Sequence, residues 1–403
     1  MRVAFVLPTL APSGGIHVAL RHARALRDGQ GWDVAVVVDE AAPDGAPAGV
    51  RVVAAAAAVA EEWDVVVSTW WTTWATAVEL PARRRVVLLQ GLDERFYDWR
   101  APLHRLAASA SLAGADAVIA ISGHLRDVAA ALRPDLDVLV VRNGLDRATF
   151  APPSAARSVA PDRPLEVLVE GQQNLPLKGV DDAIAAVRAM REPTRTTLVA
   201  LDPSVVDARG VDRLVGGVAP GEMATLYASC DVVLKLSRAE GLGLPPLEAA
   251  AVGTPSIVTP YGGHADWLRH GVNGVQVGFD DIPGTAAWLD TLARDRALLA
   301  ELGRGALETA REWPSVEESA VAMADALRTV AAADPAGADG SRRAVARALA
   351  RHVELGCIGV DRIKREHAER HMELLVSSRT YRLSASLRRA WWAVRDLPAG
   401  RQR

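Results

Sequence analysis

The feature that most constrains the fold is an alternation of short apolar, β-branched runs with patterns of helical spacing. In the first half of the chain these runs lie at residues 2–7, 34–38, 50–53, 65–68, 86–89, 117–121 and 138–141. Strands buried on both faces read as continuous apolar runs, and strand–helix alternation is typical of parallel sheets with right-handed crossovers. The alternation restarts at residues 165–169. The sequence therefore predicts an α/β protein with two doubly wound domains.

Two proline-rich breaks divide the chain. The first spans residues 152–164 and the second spans residues 335–340. Clusters of proline and small polar residues are typical of linkers. The predicted division is an N-terminal domain at residues 1–152, a second domain at 153–334 and a basic helical tail at 335–403. Two domains of ~150–200 residues each suit a chain of this length.

Charge is distributed unevenly between the tail and the rest of the chain. Residues 335–403 contain 15 Lys and Arg against 7 Asp and Glu, a net of +8, whereas the whole chain has a net charge of −3. The nearly neutral total gives no support for nucleic-acid binding, and none is expected. Near one helical face, residues 381–394 carry four large apolar side chains, those of Leu383, Leu387, Trp391 and Trp392. This pattern indicates either a helix docked on its own protein or a basic amphipathic helix on a membrane surface.

The composition favours a globular protein in a reducing compartment. Apolar residues make up 50% of the chain and charged residues 24%, which is typical of folded proteins. Cys230 and Cys357 are too few for a disulfide framework or a four-cysteine zinc site. Proline interrupts residues 1–8 too soon for a signal peptide, and no run of ~18 apolar residues predicts a spanning helix. A cytoplasmic setting is expected, with peripheral attachment at the inner face of the membrane if the basic helix binds there.

The segment richest in candidate chemistry is residues 237–255, where two glutamates lie eight positions apart. Glu240 precedes two glycines, whose lack of a Cβ lets the backbone approach a ligand closely. Pro245 and Pro246 predict a helix N-terminus, which favours anions. Glu248 falls about one turn into that helix, where a carboxylate can accept hydrogen bonds from vicinal hydroxyls such as those of a ribose. Spacing alone leaves open two helix-end carboxylates without a ligand.

This segment resembles the E-x7-E signature of family 4 retaining glycosyltransferases, which have the GT-B fold of two Rossmann-like domains facing a cleft. Five further segments resemble motifs of that family in the same order along the chain. They are a glycine loop at 13–16, an N-G-L-D segment at 143–146, Lys178-Gly179, a T-x-x-G-G loop at 259–263 and a G-x-N-G turn at 271–274. The resemblance covers about residues 1–330.

The resemblance implies a role for each matching residue. Glu248 would hold the nucleotide ribose, Glu240 would face the donor sugar and Lys178 would neutralise the diphosphate. Backbone N–H groups near Gly14 and Gly15 would help to hold the leaving group, as in other backbone anion sites. The remaining donor-binding candidates form the loop and helix start between the two glutamates, namely Gly241, Leu242, Gly243 and Leu244.

One position departs from the family pattern. An arginine commonly follows the glycine after the first strand of this domain, and here Gln172 takes its place. An amide donates a hydrogen bond but supplies no charge. Three consequences stay open: Lys178 carries more of the phosphate charge, Arg238 supplies a second cation, or activity is reduced. For Arg238, a surface salt bridge is the equal alternative.

Candidate acceptor-side residues lie in the first domain. Gln90, followed by Phe96 and Tyr97, lies in a stretch similar to one found in rhamnosyltransferases of surface polysaccharides. The tail at residues 378–388 is similar to a segment found at the ends of polysaccharide-assembly enzymes. Trp71 follows a predicted strand at the edge where open α/β sheets bind ligands, and it either lines the acceptor side or packs under a helix. His124 also follows a strand end and is the histidine of greatest interest, although most such histidines are structural.

The activity implied by the resemblance is sugar transfer with retention from a UDP-, GDP- or dTDP-linked donor to a glycan or lipid-linked acceptor. The setting would be the assembly of surface polysaccharide or glycoconjugate. No D-x-D signature stands beside a strand end, and family 4 enzymes generally need no metal, so neither a metal nor another cofactor is expected. Two alternatives stay open: a weakened relative that binds a nucleotide-sugar or glycan in an assembly complex, and a nucleotide-sugar epimerase of the same fold.

Overall fold

A computed structural model describes residues 1–38, 49–97, 100–153, 163–207 and 210–333. These residues form two parallel β-sheets with helices on their faces. All of them lie within one compact unit. The predicted tail at 335–403, with its helix at 381–394, lies outside the described residues.

The first sheet has seven strands, which are β1 (Arg2–Val6), β2 (Asp33–Val38), β3 (Arg51–Ala54), β4 (Trp63–Ser68), β5 (Ala82–Leu89), β6 (Ala117–Ala120) and β7 (Val138–Val140). Their order is β3-β2-β1-β4-β5-β6-β7, and the paired strands are parallel. The helices along this part of the chain are α1 (Gly14–Gln30), α2 (Ala55–Ala58), α3 (Thr73–Glu79), α4 (Pro102–Ala110) and α5 (Gly123–Leu132). The sequence patterns predict all seven strands.

The second sheet has six strands, which are β8 (Leu165–Glu170), β9 (Thr194–Ala200), β10 (Arg213–Gly216), β11 (Val232–Lys235), β12 (Ser256–Val258) and β13 (Gly274–Gln276). Their order is β10-β9-β8-β11-β12-β13, again with parallel pairing. The helices are α6 (Val180–Arg188), α7 (Pro220–Ser229), α8 (Leu244–Ala251), α9 (Ile282–Arg294), α10 (Arg296–Glu312) and α11 (Val316–Ala332). The edge strands β10 and β13 are short and were not predicted.

The central strands are buried on both faces. In β1, Val3, Ala4, Phe5 and Val6 are fully buried, and β11 is buried along its whole length. Burying one large apolar side chain contributes about 1.5–3 kcal/mol, so these strands carry much of the stability. Continuous burial explains why the sequences of these strands are mostly apolar.

The last described helix returns to the first sheet. The backbone N–H of Val316 donates to the carbonyl of Leu145 at 3.2 Å, and the Trp313 indole donates to the carbonyl of Asn143 at 2.9 Å. Farther along α11, the buried Arg84 guanidinium donates to the carbonyl of Val330 at 3.2 Å. The sequence prediction assigns α11 to the second domain, at 153–334. Its packing joins it to the first, because its apolar face covers helices and strands of that sheet.

None of the helices in the described part of the chain has the length and apolar character needed to cross a membrane.

Candidate functional site

The candidate site lies where the strand order of the second sheet reverses. From β8 the chain moves outward to β9 and β10, and it then returns to place β11 on the other side of β8. Open α/β sheets bind ligands in the crevice outside the carboxyl ends of strands at such a point. Glu170 is the last residue of β8 and Lys235 the last residue of β11. Both therefore stand at the expected edge.

Glu240 and Lys178 form an ion pair at this edge. The Lys178 Nζ lies 3.0 Å from Glu240 Oε1 and 3.1 Å from Oε2. Lys178 closes a 3₁₀ turn, Pro176–Lys178, before α6, and Glu240 lies in the loop between β11 and α8. The structure thus brings together two residues that the sequence analysis selected from positions 62 residues apart.

A second lysine, Lys235, also contacts Glu240. Its Nζ lies 3.4 Å from Glu240 Oε1, and it donates to both the side chain and the carbonyl of Glu170. The whole residue is 2% exposed. The sequence analysis did not select Lys235. The one available signal was rarity, because the chain contains only three lysines, Lys178, Lys235 and Lys364.

The two lysines keep Glu240 ionised. Burial alone would raise the pKa of this carboxyl, but the charges of Lys235 and Lys178 lower it to about 2. Burial would likewise lower the pKa of Lys235, but the charges of Glu170 and Glu240 raise it. The four groups form a row of alternating charge, Glu170–Lys235–Glu240–Lys178, which we call the charge row.

Hydroxyl groups fix the loop that carries Glu240. The Ser237 hydroxyl donates to Glu240 Oε1 at 2.9 Å, and the Thr259 hydroxyl donates to the carbonyl of Ser237. The backbone N–H of Glu240 donates to the carbonyl of Tyr261 at 3.4 Å. The carboxylate is therefore oriented by bonds at both its side chain and its backbone.

The glycine loop after Glu240 has no room for larger residues. A Cβ on Gly241 would lie 1.9 Å from the carbonyl oxygen of Gln90 in the first domain. Gly243 has φ +85°, and a Cβ there would lie 2.1 Å from the Tyr261 hydroxyl. Leu242 is buried and its carbonyl accepts the Trp267 indole N–H at 3.1 Å, so its side chain and its carbonyl are both engaged within the protein. Leu244, which is partly buried, begins α8.

Glu248 lies on α8 in a different environment from Glu240. Burial and the neighbouring charge of Glu170 raise its pKa to about 7, although Arg21 opposes the shift. The side chain is partly exposed and accepts no hydrogen bond from the described residues. A carboxylate in this state is available to hydroxyl donors of a ligand.

The first domain faces the site through α1 and Gln90. Ser13 caps α1, whose first residues are Gly14 and Gly15, and nothing in the described part of the chain lies within 4 Å of a Cβ built on Gly14. The Gln90 amide donates to the carbonyl of Gly15 at 3.3 Å. Since the Gln90 carbonyl also lies against Gly241, this one residue contacts the glycine loops of both domains. The sequence prediction placed Gln90 on the acceptor side, and the structure places it at the junction.

His124 lies at a second contact between the domains. A Cβ on Gly262, which has φ +103°, would lie 2.4 Å from the His124 ring. Beside it the Asp266 carboxylate accepts the backbone N–H of Gly123 at 3.0 and 3.1 Å. Arg142 donates to the same carboxylate at 3.2 Å. His124 therefore packs against the second domain through its ring.

Gln172 and Arg238 are both engaged away from the charge row. The Gln172 amide donates to the carbonyl of Asp202 at 3.2 Å and accepts its backbone N–H at 3.1 Å. Arg238 pairs with Asp182 at 2.7 Å and with Asp280 at 2.6 Å. The sequence analysis left open whether Arg238 is a second cation for phosphate or part of a surface salt bridge, and in the structure it forms the salt bridge.

Trp71 is mostly buried. Its backbone N–H donates to Asp93 at 3.0 Å, its indole donates to the Tyr97 hydroxyl at 3.1 Å, and the residue is 8% exposed. Burial raises the pKa of Asp93 to about 8. The neighbouring Trp70 is less buried and meets Phe96 edge to face at 5.2 Å. The sequence analysis left open whether Trp71 lines the acceptor side or packs within the protein, and in the structure it packs.

Comparison with known families identifies part of the chain. Residues 211–309 match the family model described as glycosyl transferases group 1. We call this matched segment the group 1 domain. It contains Lys235, Glu240 and Glu248, whereas Glu170 and Lys178 precede it.

Relatives of known activity share about a third of their residues with the matched part of this chain. A glycogen synthase from Mycobacterium tuberculosis is 32% identical over 218 residues, which cover 50% of this chain and 52% of the relative. A D-inositol 3-phosphate glycosyltransferase from Actinosynnema mirum is 34% identical over 224 residues, covering 48% and 52%. The chain thus spans about half the length of the curated relatives it matches.

Solved structures show that the group 1 domain is part of a GT-B fold. A sucrose-phosphate synthase from Thermosynechococcus elongatus superposes with a TM-score of 0.70 at 20% identity, covering 83% of this chain and 100% of that one. Anabaena Alr3699/HepE in complex with UDP-glucose gives 0.67 at 19% identity, covering 82% and 100%. The prediction of two Rossmann-like domains in the GT-B arrangement is confirmed.

No cluster of His, Cys, Asp or Glu within the described ranges, in the group 1 domain or outside it, has the arrangement needed to hold a metal ion.

Proposed function

We propose that this chain is a retaining glycosyltransferase that transfers a sugar from a nucleoside-diphosphate sugar to a glycan or lipid-linked acceptor. The observation that carries the proposal is the pairing of Glu240 with Lys178 at the carboxyl edge of the second sheet, on a loop that leads into the helix bearing Glu248. Glu240 is an ionised carboxylate, Lys178 is a cation suited to phosphate, and Glu248 is a carboxyl available to hydroxyl groups. Together they match the sugar, diphosphate and ribose of one donor.

The donor would bind with its parts distributed along this edge. Glu248 would accept hydrogen bonds from the ribose hydroxyls, and Lys178 would contact the diphosphate. The N-terminus of α1 at Gly14 and Gly15 would add backbone N–H donors, because a helix N-terminus carries partial positive charge. Anabaena Alr3699/HepE, a protein of the same fold, has been solved with UDP and with UDP-glucose, which supports a uridine nucleotide as the first donor to test.

The chemical step would exchange one glycosidic bond for another on the same face of the sugar. The bond between the anomeric carbon and the diphosphate oxygen breaks, and the acceptor hydroxyl oxygen forms the new bond. The departing phosphate oxygen takes the acceptor proton, so no protein base is required. Lys178 and the α1 backbone would stabilise the charge that develops on the diphosphate, and the proposed reaction needs neither a metal nor another cofactor.

The acceptor would enter from the first domain. Gln90 lies at the junction of the two glycine loops, and the edge-to-face pair of Trp70 and Phe96 offers aromatic surface in the same domain. Such surfaces suit the C–H faces of sugars. A glycan of the cell surface, assembled at the cytoplasmic face of the membrane, fits this proposal, and rhamnose is the first sugar to test because of the stretch that begins at Gln90.

The deciding experiment measures nucleotide binding by the full chain. UDP, GDP, dTDP, ADP and NAD are tested by thermal shift, since a ligand at 100 times its Kd stabilises by about 2.7 kcal/mol. Stabilisation by one diphosphate that is lost in Glu248→Ala supports the proposal. Glu301→Ala is the matched control, because Glu301 lies exposed on α10 of the same domain. The absence of a shift with any nucleotide would contradict it.

A second candidate is a relative that binds a nucleotide-sugar or a glycan without efficient transfer. The observation in its favour is Gln172, whose amide is bonded to the Asp202 backbone and supplies no charge. Nucleotide binding without transfer or hydrolysis of the matching sugar donors, tested over a panel of glycan acceptors, would favour this candidate.

A further inference from the structure

Lys235 is a charged residue at a position where the surrounding sequence is apolar. It ends β11, whose other residues Val232, Val233 and Leu234 are fully buried, and it is itself 2% exposed. Burying an ammonium is costly unless charged partners surround it. A lysine in such a place needs an explanation beyond the packing of the strand.

Three oxygen atoms surround the buried ammonium. Lys235 donates to the Glu170 carboxylate and, at 3.1 Å, to the Glu170 carbonyl, and the Glu240 Oε1 lies 3.4 Å away. An ammonium has three donors, so these oxygens match its capacity. Lys235 thus joins the ends of two adjacent strands to the loop that carries Glu240.

The Glu240 carboxylate is shared between two cations as a result. Its Oε1 receives Lys178, Lys235 and Ser237, whereas its Oε2 is 3.1 Å from Lys178. A carboxylate that is divided between two ammonium groups neutralises neither of them fully. The remaining positive charge of Lys178, which is partly exposed, is therefore available to an anion.

We propose that Lys235 is a positioning residue of the donor site: its buried ammonium holds the Glu240 carboxylate, so that Lys178 keeps positive charge for the diphosphate of a nucleotide. This inference rests on the proposed function. It also accounts for the charge balance at the site, where Gln172 is neutral and Arg238 is paired with Asp182 and Asp280.

A purely structural role makes a different prediction. If Lys235 served only to balance the partly buried charge of Glu170, its loss would lower stability, and removing the Glu170 charge as well would repair the defect. If Lys235 positions Glu240, the double change repairs stability but not diphosphate binding, because Glu240 then pairs with Lys178 alone.

The experiment compares nucleotide affinity among variants of the full chain by titration calorimetry. The probes are UDP, GDP and dTDP, each with its nucleoside, and the variants are Lys235→Met, Lys235→Arg and Glu170→Gln/Lys235→Met. Arg84→Met is the matched control, because Arg84 is a buried cation near the amino end of β5 that donates to backbone carbonyls of α11 and its end. Thermal unfolding of each variant is measured in parallel.

We expect Lys235→Met to weaken diphosphate binding about tenfold or more, a change of the size that a lost charge interaction produces, with little change for the nucleoside. Lys235→Arg should recover part of the affinity. The double variant should regain thermal stability but keep the weak diphosphate binding, and Arg84→Met should lose stability without this selective change.

Three results overturn the inference. The first is diphosphate affinity in Lys235→Met equal to wild type, and the second is equal loss for diphosphate and nucleoside. The third is recovery of diphosphate affinity in the double variant. If the wild type binds none of the three diphosphates, the proposed function fails and the inference fails with it, which the wild-type titration alone reveals.

Discussion

Two glutamates eight positions apart have opposite acid–base behaviour, and their surroundings explain the difference. Glu240 lies between two lysines, which lower its pKa to about 2 in spite of burial. No lysine of the described residues contacts Glu248, and burial with the charge of Glu170 raises its pKa to about 7. One carboxyl is therefore ionised at every physiological pH, and the other titrates near neutrality.

The titration of Glu248 predicts a pH-dependent affinity for nucleoside diphosphates. An ionised carboxylate accepts hydrogen bonds from ribose hydroxyls more strongly than a protonated one. Between about pH 6 and about pH 8 the affinity should rise up to about tenfold, following the ionised fraction of a group with a pKa of about 7. Calorimetry over this range measures it, and Glu248→Gln corrects for titration of the nucleotide itself. Parallel pH profiles for the wild type and Glu248→Gln would contradict the prediction.

In the absence of nucleotide, ionisation of Glu248 lowers the stability of the fold, whereas the same ionisation raises the affinity for nucleotide. Its folded pKa lies above the ordinary value of 4.5, so its contribution is present at low pH and is lost as the pH rises through about 7. Glu248→Gln should therefore gain stability relative to the wild type at about pH 8 and gain none at about pH 4. Thermal unfolding at both pH values measures the difference, and equal differences would contradict it.

Glu240→Gln tests the centre of the charge row. The amide cannot balance Lys235 and Lys178, and breaking a buried ion pair costs about 3–5 kcal/mol when one charge is left unpaired. Transfer or donor hydrolysis should fall at least about 100-fold, and the thermal midpoint should drop. Glu301→Gln on α10 is the control for the loss of an exposed carboxylate. Full activity in Glu240→Gln would show that this carboxylate has no role in the reaction.

At the scale of elements, the start of α8 depends on a backbone conformation. Gly243 precedes the helix with φ +85°, a region that residues with a Cβ rarely adopt. The Tyr261 hydroxyl fills the space that a side chain would need and has no hydrogen-bond partner in the described part of the chain. Close packing and a left-handed backbone therefore both require glycine here.

Gly243→Ala should lower stability by more than the cost of placing alanine in a left-handed backbone conformation. Gly253 has φ +87°, and no heavy atom of the described ranges lies within 4 Å of a Cβ placed there, so Gly253→Ala is a control that isolates the backbone cost of about 1–2 kcal/mol. Gly243→Ala should cost more than this, because its Cβ meets the Tyr261 hydroxyl. Chemical denaturation measures both variants.

Adding Tyr261→Phe removes the oxygen that the new Cβ would meet. It should recover part of the stability lost in Gly243→Ala while changing the wild type little, since the buried hydroxyl makes no bond to the described residues. Equal stability of Gly243→Ala and Gly253→Ala, or no recovery with Tyr261→Phe, would refute the packing argument.

Sequence patterns predict long buried elements better than short edge elements. Strands such as β1 are continuous apolar runs because both faces are covered. The strand β10 is partly exposed along its four residues, and β13 has three residues after a turn, so neither leaves a strong pattern. Lys235 could not be found in this way, because only the sheet order brings Glu170 to its side. The sequence shows that Gln172 replaces the arginine of the family pattern, but the orientation of its side chain toward Asp202 depends on the neighbouring loop.

At the scale of the whole molecule, polar contacts between the two domains flank the site. Asp266 of the second domain accepts hydrogen bonds from Gly123 and Arg142 of the first. Gly123 begins α5, so the carboxylate also stabilises a helix N-terminus. Gln90 contacts the glycine loops of both domains. These contacts set the relative placement of groups that must meet one substrate.

Asp266→Ala should loosen the contact between the domains without unfolding either. The loss of a cap-like carboxylate costs about 1 kcal/mol. Amide hydrogen exchange should increase at the N-terminus of α5 and in the loop at Gly262. The control is Asp295→Ala, which removes the cap of α10 within one domain and should raise exchange there alone. Unchanged exchange at α5 in Asp266→Ala would contradict the role of this contact.

The return of α11 to the first sheet has a consequence for fragment complementation. The hydrogen bonds from Val316 to Leu145 and from Trp313 to Asn143 are made by the start of α11 and the turn before it, which follow the second sheet in the sequence. A first half produced alone, residues 1–153, would lack this helix and expose the apolar surface that it covers. A second half that begins at residue 163 would carry the missing helix. When the two halves are mixed, burial of this apolar surface under the helix should favour their association, as in a split protein.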